Sequence, residues 1–306
     1  MRFATYRHRG SSEHRVGLAE GDELFGLEPG LSLVDLLGDG PGRLLEAGAL
    51  ARRSPSEVAA LEEVDLRAPI PSPPSVRDFL AFEQHLENAR GAVDPDWYEL
   101  PVFYFSNPAA ICGPYDDVAV APGSAEWDFE LELGAVVGLA GSDLSPEEAT
   151  DHIAGYFVLC DFSARDIQRR EMRLNLGPAK GKDSATSIGP VLVTADELES
   201  HRSGHGFSLE MSVSVNGRRY GGGMADSLHW SVEEMVAYAS RGTTVRPGDV
   251  IGSGTVGTGC ILEQVALGHG GEFPWLKAGD VVELEIAELG TLRHRIVAGA
   301  ELRPLR

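Results

Sequence analysis

Hydrophobic and polar positions alternate most regularly over Trp127-Asp128-Phe129-Glu130-Leu131-Glu132-Leu133-Gly134, and an apolar run follows from Ala135 to Leu139. Alternation of period two predicts a half-buried strand. Residues two apart in a strand share a face, so Glu130 and Glu132 are expected to point the same way, their Cα atoms about 6.6 Å apart. Leu131 and Leu133 point to the other side. Two carboxylates at that spacing repel unless water or a cation lies between them. The pattern suits a solvated strand face or one half of a metal site.

Elsewhere the patterning predicts both kinds of element. In the first 67 residues, Arg15 to Leu18 and Glu23 to Leu27 flank a turn and read as a hairpin. Ser54-Pro55-Ser56-Glu57 has the capping serine, proline and glutamate of a helix start. Ala68-Pro69-Ile70-Pro71-Ser72-Pro73-Pro74-Ser75 is a stiff, extended connector. The expected division is therefore a small N-terminal domain (1–67), a proline-rich linker (68–75) and a larger domain (76–306). Arg77 to Gly91 predicts a helix with Phe79, Phe82 and Leu86 on one stripe and a glycine stop. On an unbroken helix Asp78 and His85 would lie about 10 Å apart along the axis, too far to share one ion.

Ser145-Pro146-Glu147-Glu148 is a capping box that opens a helix. Gly155 to Cys160 is an apolar, strand-like run expected to be buried on both faces. It ends at Asp161, where a strand terminus suits a working carboxylate. Ser163 and Asp166 look like the cap of the next helix. Further on, Ser208 to Val215 alternates into Asn216-Gly217, a strong hairpin turn. Ser231-Val232-Glu233-Glu234 caps a helix running to about Arg241. Val281 to Ile286 repeats the Glu-Leu-Glu pattern and reads as a plain strand.

Composition narrows the function. The chain has 306 residues and a formal charge of -21, which opposes binding to nucleic-acid backbones and anionic membranes. The N-terminus lacks the apolar core of a signal peptide, and no run is long enough to span a bilayer. Cys112, Cys160 and Cys260 are widely spaced and odd in number, which suits free buried thiols and a cytoplasmic location. Of 26 basic residues only Lys180, Lys182 and Lys277 are lysines. Two of them sit together in Gly177-Pro178-Ala179-Lys180-Gly181-Lys182-Asp183. Lysine is a compact point charge that arginine does not replace in a tight polar site.

Two motifs fail on context. Gly252-Ser253-Gly254-Thr255-Val256-Gly257 matches the dinucleotide fingerprint, but Thr258-Gly259-Cys260 follows rather than a clear helix, and too little chain remains for a βαβ series. Gly181-Lys182 is followed by Asp183, and the upstream glycine of a phosphate loop is missing. What remains is a set of four carboxylates, Asp78, Glu130, Glu132 and Asp161, with His85 and Lys182. All-oxygen ligation of this kind suits Mg²⁺ or Mn²⁺, and less often Ca²⁺.

Over about residues 76 to 300 the chain resembles the fumarylacetoacetate hydrolase family. The resemblance rests on Asp78-Phe79 with Gln84-His85, Pro101-Val102 with Tyr104, Glu130-Leu131-Glu132, Asp161 to Gln168, Leu176-Gly177-Pro178, Gly181-Lys182 with Thr186, and Gly254-Thr255. It implies an α+β fold, a mixed β-sheet roll with flanking helices and a small N-terminal β-rich domain, usually assembled as a homodimer. It also implies that Asp78, Glu130, Glu132 and Asp161 ligate one Mg²⁺ or Mn²⁺ and that His85 is the general base, with Lys182 beside it. Tyr104, Arg165, Gln168, Thr186 and Thr255 match substrate-contacting positions.

The expected activity is hydrolysis of a C–C bond in a 1,3-diketo acid, of fumarylacetoacetate or acylpyruvate type, by a metal-polarised dicarbonyl and a His85-activated water. The alternative on the same fold is isomerisation or decarboxylation of 2-hydroxy-diene dioates in aromatic-compound catabolism. A binding module that has lost catalysis is a third possibility. Fumarylacetoacetases steady the histidine with a distant glutamate, for which Glu263 is a candidate. Short acylpyruvases place a glutamate three positions after the histidine, where this chain has Asn88.

Overall fold

The computed structural model describes residues 1–306, apart from the side chain of Pro41. Its centre is a twelve-stranded mixed sheet. One half runs from Val58–Ala60 through Glu23–Gly26, Arg15–Glu20 and Arg2–His8 to Thr186–Thr194. It continues through Ile153–Asp161, Leu131–Val137, Val250–Gly252 and Val76–Phe79 to an edge strand, Phe103–Ser106. Most neighbours are antiparallel, but Val250–Gly252 runs parallel to Val76–Phe79. A second sheet of five strands, ordered Arg218–Met224, Glu210–Val215, Val281–Ile286, Gly290–Val297 and Val118–Ala119, packs against the first. Helices are short and peripheral, so the class is α+β. Among the described residues, no helix is long and apolar enough to cross a membrane.

The strand Ile153–Asp161 shows why the layers stack as they do. All nine of its residues are buried. Alternate side chains face opposite ways, so Tyr156, Val158 and Cys160 enter the core shared with the five-stranded sheet. Phe157 and Leu159 enter a second core with Phe3, Leu18 and Leu192. Burying a side chain of this size stabilises by about 1.5–3 kcal/mol, and cutting Phe157 to alanine would cost about 3–5 kcal/mol. The N-terminal strands extend this same sheet, since Arg2 and Phe3 pair with Val193 and Leu192. The proline-rich stretch stays close to them: Thr5 donates to the Pro69 carbonyl and Ile70 is fully buried.

Local signals hold where they close on themselves. The Arg15–Glu20/Glu23–Gly26 hairpin forms, and so does the one turning at Asn216-Gly217, where both residues take positive φ. Both capping boxes form, at Ser145 and Ser231, although the first helix spans only Pro146–Ala149. Three expectations fail. Asp78 lies on a strand, Val76–Phe79, and the helix begins only at Glu83, because Phe82 is extended. Ser54 ends the Pro41–Arg53 helix instead of opening one, and a strand, Val58–Ala60, follows. Ser163 pairs in a short strand with Asp128, and Asp166 accepts from Ser124 and from the Ala125 and Ile167 amides, so neither side chain caps the Arg165–Met172 helix.

Candidate functional site

Five adjacent strands build the site at one end of the large sheet. Asp161 ends Ile153–Asp161, Glu132 lies at the start of Leu131–Val137 with Glu130 just before it, and Gly252 ends Val250–Gly252. Gly252 pairs with Asp78, and Asp78 pairs on its other side with Tyr104. The four carboxylates are thus neighbours across the sheet although 83 positions separate Asp78 from Asp161 in the chain.

Gly252 lets them meet. A Cβ there would lie 2.7 Å from Glu132 Oε2 and 2.9 Å from Asp78 Oδ1. The next turn also needs glycine: Gly254 has φ +79°, and its amide donates to Glu132 Oε2 at 2.9 Å. The glycine run that failed as a dinucleotide fingerprint therefore makes room for two acidic side chains and carries Thr255 to the cavity. A short helix, Ile261–Ala266, does follow it.

All four carboxylates are buried. The Tyr104 hydroxyl lies in hydrogen-bond reach of Asp78 Oδ2 and Asp161 Oδ2, and the Lys182 ammonium donates to Glu130 Oε2 and Asp161 Oδ2. Arg165 is buried as well. Its Nε donates to Asp128 Oδ2 and its Nη2 to Glu130 Oε1, both at 2.8 Å, and its Nη1 to Gln168. Asp128 further accepts from the Ile261 and Leu262 amides, which ties the Ile261–Ala266 helix to the site.

These contacts leave one buried oxygen on each of three carboxylates, Asp78 Oδ1, Glu132 Oε1 and Asp161 Oδ1, without a hydrogen-bond partner. Burying such groups unpaired is costly. The electrostatics agree. Burial, then the neighbouring Asp78, Glu130 and Asp161, pushes Glu132 well above the ordinary carboxylate range. Burial raises Asp78, and it pushes Asp161 up to about 7 despite Lys182 beside both. Burial works against Glu130 too, but Arg165 and Lys182 hold it well below the usual value. Four acids against two cations, one of them shared with Asp128, leave an excess of negative charge. The donor set is all oxygen, as a hard divalent cation requires. The residues therefore fit Mg²⁺ or Mn²⁺.

A second cluster faces them. His85 Nδ1 lies 2.8 Å from Glu263 Oε1. Glu263 is fully buried on the Ile261–Ala266 helix, and its other oxygen accepts from Asn88 Nδ2 and the Thr258 amide, both at 2.7 Å. Cys260 Sγ approaches Oε1 at 3.5 Å. Ligand atoms of His85, Cys260 and Glu263 lie within 4.8 Å of one another, yet hydrogen bonds already occupy both glutamate oxygens. The cluster is an oriented His–Glu dyad. Asn88, three positions after His85, hydrogen-bonds the same glutamate.

A cavity of about 300 Å³ joins the two clusters. Asp78, His85, Tyr104, Glu130, Arg165, Gln168, Lys182 and Thr255 all line it. Thr186 pairs with Asp161 in the sheet, and its hydroxyl lies 3.3 Å from Ser106. Lys182 rides on a 3₁₀ turn, Lys180–Lys182, that is stapled from behind: the Glu171 carboxylate accepts the amides of Ala179, Lys180 and Gly181. Sequence reasoning missed Asp128, Glu171 and the purpose of Gly252. Asp128 was within reach, since it shares the period-two face of Glu130 and Glu132.

Residues 75–297 match the family model for the fumarylacetoacetate (FAA) hydrolase C-terminal region. The oxaloacetate tautomerase YisK of Bacillus subtilis (strain 168) is 30% identical over 286 residues, covering 90% of this chain and 89% of its own. The 2,4-didehydro-3-deoxy-L-rhamnonate hydrolase of Sphingomonas sp. (strain SKA58) is 29% identical over 302 residues, 97% of this chain and 96% of its own. Among solved structures, fumarylacetoacetate hydrolase from the psychrophile Exiguobacterium antarcticum superposes with a TM-score of 0.71 at 26% identity, covering 98% of this chain and 100% of that one. With its carboxylate cluster, its His–Glu dyad and a match over most of its length, the chain belongs to the fumarylacetoacetate hydrolase family of enzymes.

Proposed function

We propose that this enzyme hydrolyses a C–C bond in a 1,3-diketo acid. The observation that carries the reading is the His85–Glu263 dyad set across one cavity from the carboxylate cluster. Asp78, Glu130, Glu132 and Asp161 would hold a Mg²⁺ or Mn²⁺ ion, which when bound supplies Lewis-acid polarisation of a dicarbonyl.

The chain's own groups do the rest. With Nδ1–H donated to Glu263, His85 presents Nε2 as a base, and Glu263 steadies the imidazolium that results. His85 takes a proton from water, and the hydroxide adds to the distal carbonyl carbon. The bond between that carbon and the methylene breaks, its electrons pass to the enolate of the departing keto acid, and His85 returns the proton to carbon. One water is consumed and two acids leave. Lys182 has three ammonium protons. Two go to Glu130 and Asp161, and the third is free for the enolate oxygen. Arg165, spent on Asp128 and Glu130, sets the position of Glu130.

A second reading has specific support, the similarity to an oxaloacetate tautomerase over 90% of the chain. The same dyad would then move a proton between carbon and oxygen of a 2-oxo acid, with no water consumed. Product analysis under Mg²⁺ or Mn²⁺ separates the two. Hydrolysis gives two acids and loss of the diketone ultraviolet band. Tautomerisation conserves mass and speeds exchange of the α-protons with D₂O. Absence of both across a panel of keto acids would remove the proposal.

A further inference from the structure

On the floor of the cavity both cations are engaged, and with the third Lys182 proton given to the enolate oxygen none is left for a second anionic group. Lys182 is held by Glu130 and Asp161, and Arg165 by Asp128 and Glu130. At the other end stands Arg90, the last residue of the Glu83–Arg90 helix that carries His85. Arg90 is exposed, it lines the same cavity, and among the described residues it makes no ion pair and no side-chain hydrogen bond. It lies five positions after His85, about 7.5 Å along the helix. The cavity walls also carry apolar side chains: Leu80, Phe103, Pro178 and Leu262, with Val102 and Met172 exposed like Arg90. The cavity thus combines a buried polar floor, apolar wall surface and one exposed cation.

We infer that Arg90 is a specificity-determining residue that binds a second carboxylate, at the far end of the substrate, and so selects dioates over monoacids of equal length. The inference rests on the keto-acid reading above and assigns the group at the substrate's outer end. In a protein of charge -21, a dianion is repelled at long range. A guanidinium at the mouth offsets that repulsion where it matters, and its planar fork fits a carboxylate through two parallel hydrogen bonds. The apolar wall surface suits the carbon chain between the two ends. The alternative is a helix-terminal arginine that does no more than favour the negative end of the helix dipole.

A matched pair of probes tests this by calorimetry on the Mg²⁺-loaded enzyme: 2-oxoadipate, and 2-oxohexanoate, which has the same chain without the second carboxylate. Wild type is expected to bind 2-oxoadipate about tenfold or more tighter, and the gap should narrow as salt rises. Arg90→Gln should bring the two affinities together by weakening 2-oxoadipate alone, and Arg90→Lys should keep part of the gap. Equal binding of both probes by wild type would overturn the inference. So would a parallel loss of both in Arg90→Gln, or a lowered Tm with the preference intact, the mark of a helix-end role. If wild type binds neither probe, the keto-acid reading itself falls and takes this inference with it.

Discussion

Glu130-Leu131-Glu132 and Glu283-Leu284-Glu285 are the same tripeptide at two places in the chain, and the fold treats them oppositely. Leu131 and Leu284 are both fully buried, as alternation requires. The glutamates diverge. Glu130 and Glu132 are 6% and 0% exposed, whereas Glu285 is exposed and Glu283 meets Arg293 at the surface. The second strand, Val281–Ile286, belongs to a sheet with one wet face, so its polar alternation ends in water. Next to the first pair, strands on both sides bury the glutamates among Asp78, Asp161, Arg165, Lys182 and the Gly254 amide. The same local pattern thus makes an ordinary surface in one sheet and an acidic cage in the other.

The largest effect that would break this comparison comes from neutralising one acid in each copy. Glu132→Gln should lower turnover about a thousandfold, about 4 kcal/mol of transition-state stabilisation, and abolish calorimetric Mg²⁺ or Mn²⁺ binding. Glu285→Gln should stay within about twofold of wild type, as expected of an exposed side chain. Equal losses from the two changes would show that the sheets do not differ in the way described.

Gly252→Ala sharpens the contrast with a smaller perturbation. The new methyl would press on the ends of Glu132 and Asp78, which can swing aside. The fold, followed by circular dichroism, should therefore survive, while Mg²⁺ affinity falls about 10–100-fold, as when a ligand's support is lost. An unchanged affinity would mean that the glycine gap is not what positions the pair.

The smallest effect concerns the other sheet, where a buried titratable group stays uncharged. His294 pairs with Val282 beside the second tripeptide, is fully buried, and directs Nδ1 at the Asp116 carbonyl at 2.8 Å. Burial holds its pKa below the ordinary 6.5 despite that hydrogen bond. The unfolded chain therefore takes up a proton near pH 6.5 that the folded protein still refuses. The stability is complete above that pH and is lost as pH falls towards the folded value. Urea midpoints at pH 7.5 and 5.5 should fall less in His294→Gln than in wild type. Identical slopes would place the acid sensitivity elsewhere.

Much of the local structure was legible because its causes are local. The hairpin at Asn216-Gly217 and the capping boxes at Ser145 and Ser231 hold within a few residues, and the apolar run before Asp161 announces a strand buried on both faces. The segment around Asp78 was not legible. Phe79, Phe82 and Leu86 fit a helical stripe, yet Asp78 is held extended by its parallel partner Gly252 and its antiparallel partner Tyr104, neither visible from nearby sequence. Ser54-Pro55-Ser56-Glu57 misled for a related reason: Glu57 holds Tyr6, His8 and Arg15 across the N-terminal sheet, and that pull outweighs its value as a helix-capping acid.

The sequence by itself determined which residue types were present, four acids with a histidine and a scarce lysine, and which strands and turns would form from their neighbours. Tertiary structure alone decided which acids meet and which glutamate orients His85. It also decided that a glycine is the place where Glu132 and Asp78 come together, and it left Arg90 unpaired at the mouth. The physical reason is that short-range backbone preferences act over a few residues. The field on a buried carboxylate is set by groups from distant parts of the chain, which only the packed sheet brings close enough to interact.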